Sequence, residues 1–136
     1  MNVTLFSLEK KSDATQRIVS ICKKAVEKKI FLQIICPQEK TIDFLDNLLW
    51  QTPFDAFLPH AKEKELTLEP ILLTLNTEIQ KPFTHILWLN QTPPPNSLKW
   101  VHLYDFDDRS SPESAKNSLE RYHFYKKSGC KISLLG

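Results

Sequence analysis

Residues 30–36, IFLQIIC, are short and apolar almost without a break. A strand with one wet face alternates between apolar and polar residues. A strand covered on both faces does not, and such strands belong to parallel sheets flanked by helices. Residues 84–90, THILWLN, repeat the pattern. Upstream, residues 3–8 read as another strand, and Asp13 is a suitable N-cap for a helix running to about Lys28. In that helix Ile18, Ile21, Cys22, Ala25 and Val26 fall within an arc of about 140°, which puts Cys22 in the core. Strand, helix and strand within about 36 residues make a βαβ unit.

Pro37 ends the second strand, and residues 38–51 read as a second helix. Its apolar residues Ile42, Phe44, Leu45, Leu48 and Leu49 spread over about 160°, with Trp50 about 80° beyond them. Residues 52–65 are a loop or a broken helix, punctuated by Pro53 and Pro59. Residues 66–76 hold a strand that Pro70 interrupts, so an edge or bulged strand is expected there. A further strand is expected over 99–104. Ser111-Pro112-Glu113 starts a last helix that runs to about Lys127, with Gly129 at the position just past its end. The apolar tail 131–136 is expected to pack on the body. The fold class expected is α/β: a single three-layer domain, residues 1–136, with a mostly parallel sheet.

The only two glycines are Gly129 and Gly136. A phosphate-cradling loop and a nucleophile elbow both need glycines between an early strand and its helix, so both are excluded. A net charge of +2 is too balanced to point to nucleic acid, and no direct contact with it is expected. Three cysteines without a C-x-x-C pair predict reduced thiols and a cytoplasmic home. No signal peptide or membrane span is legible.

No cofactor or metal is expected, because His60, His85, His102 and His123 stand apart and none pairs with a cysteine at ligand spacing. Cys36 precedes a helix, but Pro37 removes one amide donor and no basic neighbour is evident, so it reads as unreactive. Asp105, Asp107 and Asp108 follow the 99–104 strand. They are either a solvated turn or the Mg²⁺ ligands of a small hydrolase. Residues 48–61 set Trp50, Phe54, Phe57 and Leu58 among prolines, as interface anchors or as a cap on the sheet. In the last helix Lys116, His123 and Lys127 lie within about 40° of one another, beside a strip of Leu119, Tyr122 and Lys126. From Arg109 onward there are six Lys or Arg and two Glu, a local charge of +4. This is either a solvated face or a place for an acidic peptide with a hydrophobic end.

Two of these stretches carry a resemblance. Leu49-Trp50-x-x-Pro53-x-x-x-Phe57-x-Pro59-His60 resembles the signature of the chi subunit of bacterial DNA polymerase III. Arg121-Tyr122-x-x-Tyr125, followed by Gly129, is similar to that family's final helix. The resemblance implies a nucleotide-binding-like fold without the glycine loop. It implies a replication accessory subunit of the clamp loader, part of a polymerase holoenzyme but without intrinsic activity. It also implies two partners: the psi subunit, and the acidic, Pro-Phe-ending tail of single-stranded DNA-binding protein. Trp50, Pro53, Phe57, Pro59 and His60 would form or support the psi-facing surface. Lys116, Leu119, Arg121, Tyr122, His123 and Lys126 would hold the tail. The sequence departs from the family where Ala115, Leu119 and His123 replace expected basic residues, and the link 91–98 is shorter than the expected helical connection.

Overall fold

The computed structural model describes residues 1–51, 60–62 (His60 and Ala61 by backbone alone) and 69–135. Along the chain run β1 (Asn2–Leu8), α1 (Ser12–Glu27), β2 (Leu32–Ile35), α2 (Glu39–Gln51), β3 (His60–Lys62), β4 (Ile71–Thr74), β5 (His85–Trp88), β6 (His102–Asp108), α3 (Pro112–Lys127) and β7 (Lys131–Leu135). The strands form one sheet in the order β3-β4-β2-β5-β6-β1-β7, and every pairing is parallel.

Side chains alternate between the faces of a strand, so consecutive residues of these strands enter different cores. Ile34, Leu73, Leu87 and Phe106 face one way and pack with Ile18, Ile21 and Cys22 of α1 and Leu45 and Leu49 of α2. Ile35, Ile86, Trp88 and Leu103 face the other way and pack with Tyr125 of α3. The result is helices, sheet and helix in three layers. It explains why all four residues of β2 are buried and why 30–36 reads as continuously apolar.

Both long helix ends close with the same pair of bonds. After α3, Gly129 N–H donates to Lys126 C=O and Cys130 N–H to Tyr125 C=O, with Gly129 at φ +78°. After α1, Lys29 stands in that left-handed position at φ 57°, where glycine is usual.

Several local expectations need correction. Asp13 lies within the first turn of α1, whose N-cap position is Lys11 and has no side-chain cap. Phe44 is exposed, because it sits at the rim of its apolar arc and the buried residues are Ile42, Leu45 and Leu49. Pro70 precedes β4 and does not interrupt it. Its carbonyl accepts from Leu32 N–H, and β4 pairs on both sides. Residues 60–62, expected in a loop, are the edge strand β3. β6 begins three residues and ends four residues later than expected, so Asp105, Asp107 and Asp108 are within a strand. The tail is β7, an edge strand whose Leu134 and Leu135 are largely exposed.

Candidate functional site

The last helix is anchored by polar groups. Ser111 Oγ accepts from Ser114 N–H and caps it, as its sequence predicts. Its buried residues are Ser114, Ser118, Arg121 and Tyr125, at spacings that define one helical face. Arg121, only 3% exposed, turns every branch of its guanidinium inward. Nε donates to Asp105 Oδ2 at 2.9 Å, Nη1 to Gln91 C=O at 2.9 Å, and Nη2 to Phe106 C=O at 3.0 Å and Ser118 Oγ at 3.2 Å. Asp105 also accepts from Tyr125 O–H at 2.6 Å and Phe106 N–H at 2.7 Å. Burial pushes the Asp105 carboxyl up, and Arg121 and these hydrogen bonds oppose it. All its partners donate, which is the geometry of an ionised carboxylate. Burial and Asp105 together hold the Tyr125 phenol well above its ordinary value, so it remains a donor.

Arg121 is thus removed from the tail-facing surface where the resemblance put it. It is a positioning residue that locks α3 onto β6. The three acids of the hydrolase reading also separate. Asp105 serves Arg121, Asp107 pairs with Arg109 at 3.0 Å, and Asp108 accepts from Ser110 O–H at 2.6 Å. Among the described residues no three His, Cys, Asp or Glu side chains gather as metal ligands.

The outward side of α3 is different. Leu119, Tyr122 and Ala115 meet Leu134 of β7, and Phe106, Asp107 and Arg109 at the end of β6, around a groove of about 490 Å³. Leu119 is 55% exposed and Leu134 is 68% exposed. Lys126 Nζ stands 5.9 Å from the centre of the Tyr122 ring, and the His123 ring meets that ring edge-on at 5.7 Å. Lys116 and Lys127 are exposed on the same helix. Of the predicted tail residues the fold therefore brings Leu119, Tyr122, His123 and Lys126 together, and leaves Lys116 beside them. Sequence reasoning missed Arg109 and Leu134. The only signal was the apolar tail, which was expected to be covered.

At the opposite edge, α2 lies against β3 and β4 and exposes Trp50 by 57%. His60 begins β3, paired with Ile71. Pro53, Phe57 and Pro59, and with them Phe54 and Leu58, lie outside the described residues.

The two buried thiols give no nucleophile. Burial pushes both Cys22 and Cys36 up to about 12, with Glu39 adding to the effect at Cys36. His85 and His102 are register partners on β5 and β6 and stack at 6.1 Å. Thr4 Oγ1 lies 2.7 Å from His102 Nε2, and Thr84 Oγ1 2.8 Å from His85 Nδ1. Partial burial lowers the pKa of both, and His85 lowers that of His102 further.

Among the described residues no helix is long and apolar enough to cross a membrane. The profile of one protein family, DNA polymerase III chi subunit, HolC, matches residues 1–133. No curated protein matches the chain.

Proposed function

Because the chain belongs to the DNA polymerase III chi subunit family, a family of non-catalytic replication subunits that act within a complex, we propose that it links the clamp loader to single-stranded DNA-binding protein in the cytoplasm. One edge holds psi and the other holds the acidic tail. The observation that carries this reading is the placement of the two candidate surfaces. Trp50 and His60 belong to the β3 edge of the sheet, and the groove of Leu119, Tyr122 and Leu134 belongs to the β7 edge. A linking protein needs two surfaces that do not compete, and opposite sheet edges provide them.

The tail's terminal aromatic enters the groove beside Tyr122. Ala115 and Leu119, which stand where the resemblance leads one to expect basic residues, add to its apolar wall. The tail's acids meet Lys126, with His123 and Lys116 at the flank. On the other edge Trp50 anchors psi, and the resemblance assigns Pro53, Phe57, Pro59 and His60 to the same partner. Truncating a buried aromatic anchor typically costs about 2 kcal/mol or more, so Trp50→Ala should weaken psi binding roughly thirty-fold.

Fluorescence anisotropy with a labelled acidic peptide ending in Pro-Phe tests the tail site. Saturable binding that Tyr122→Ala removes at every salt concentration supports it. Binding unaffected by Tyr122→Ala places the tail elsewhere, and no binding at all removes the tail from the reading.

A further inference from the structure

The outer edge of β7 borders the groove, and its backbone polarity follows from the register. Lys131 N–H donates to Met1 C=O, and Lys131, Ser133 and Leu135 pair with Asn2, Thr4 and Phe6 of β1. In a parallel ladder the peptide groups of alternate residues point to opposite sides. The N–H and C=O groups of Lys131, Ser133 and Leu135 therefore face β1, and those of Ile132 and Leu134 face outward. Among the described residues no strand pairs with that outer side. The side chains alternate as well. Ile132 and Leu134 lie on the α3 side, where Ile132 packs against the core and Leu134 lines the groove. One residue, Leu134, thus presents a free main-chain donor and acceptor together with an apolar wall of the groove.

We propose that the acidic peptide binds by adding an eighth strand to this edge, pairing its main chain with Ile132 and Leu134 and setting an apolar side chain between Leu134 and Tyr122. The mode rests on the tail-binding reading given above. It fits an extended peptide because a strand laid on an edge sends alternate side chains to the same face, so its apolar residue reaches the groove while its neighbours point away. The charge fits too. Lys126 stands over Tyr122, Lys131 is exposed at the start of β7, and the segment from Arg109 onward is locally +4. A basic strand, or a second copy of this chain pairing β7 with β7, would place like charges together, and a neutral strand would leave these lysines without a counter-charge.

Amide hydrogen exchange by NMR on the full ¹⁵N-labelled chain, with and without saturating acidic peptide ending in Pro-Phe, tests this. The amides of Ile132 and Leu134 should exchange fast in the free chain and slow at least tenfold in the complex, while Leu119 and Tyr122 resonances shift. Shifts at Leu119 and Tyr122 with unchanged exchange at Ile132 and Leu134 would overturn the added strand and leave the tail site standing. Absence of both would overturn the tail site itself, and the added strand with it. Protection of Ile132 and Leu134 that grows with protein concentration without peptide would assign the edge to a second copy instead. As a second readout, two N-methylated peptides, each blocking alternate amides, should differ. One should bind at least tenfold more weakly and the other within threefold of the parent, whereas equal affinities would contradict main-chain pairing.

Discussion

Replacing Arg121 with Met separates its structural role from a surface one. The side chain length is kept and the guanidinium is lost. With it go the ion pair to Asp105 at 2.9 Å and the bonds to Gln91 C=O, Phe106 C=O and Ser118 Oγ. Phe106 C=O retains Ser118 O–H as a donor, and Asp105 retains Tyr125 O–H and Phe106 N–H. What remains is a buried carboxylate without its counter-charge. Breaking a buried pair by removing one partner costs about 3–5 kcal/mol. A domain of this size has about 5–15 kcal/mol in total, so the loss is a large share. At roughly 3–4 °C per kcal/mol the melting temperature should fall by roughly 9–20 °C. The double variant Asp105→Leu, Arg121→Met removes both charges and should be more stable than Arg121→Met alone, because an apolar replacement of a whole buried pair is often neutral. Urea unfolding followed by circular dichroism measures both. A cost under about 0.5 kcal/mol for Arg121→Met, the ordinary range for a surface change, would refute the inward assignment.

Other outcomes follow from the same geometry. His85 and His102 have folded pKa values below the ordinary 6.5, so the unfolded chain binds more protons below that pH. Stability should be full above pH 6.5 and decline as pH falls through it, and His102→Gln should flatten the slope of melting temperature against pH. With Cys22 and Cys36 buried and their thiols pushed up to about 12, iodoacetamide at pH 8 should label Cys130 first, and the other two only in denaturant, as read by mass spectrometry. Lys126→Glu should weaken peptide binding mainly at low salt, since exposed charges are screened over about 10 Å at 0.1 M. An effect of equal size at 0.5 M salt would move Lys126 from a screened contact to a desolvated one.

The layered α/β class was legible because it rests on local patterns. IFLQIIC and THILWLN announce strands covered on both faces, and Ser111-Pro112 and Gly129 mark the ends of α3 in residues adjacent to it. The misreadings share a physical reason, which is that long-range pairing overrides local signals. Asp105 looks like a turn residue until Arg121, sixteen residues away in sequence, neutralises it within β6. The buried face of α3 is built from Ser114, Ser118, Arg121 and Tyr125, and hydrophobic periodicity is blind to such a face. Pro70 looked like an interruption because a strand's start cannot be told from its middle without its neighbours. The groove was half legible. Leu119, Tyr122 and Lys126 share a helix and a period, but Arg109 and Leu134 reach them only through the sheet.

The proposed link stands or falls on whether both sheet edges can be occupied at once. Anisotropy titration of the labelled acidic peptide into the chain alone, and into the chain saturated with psi, decides it. The expected result is peptide binding within twofold in the two titrations, with sedimentation velocity showing one complex that contains all three components. Displacement of the peptide by psi, or of psi by the peptide, would contradict two separate sites and put both partners on a single surface.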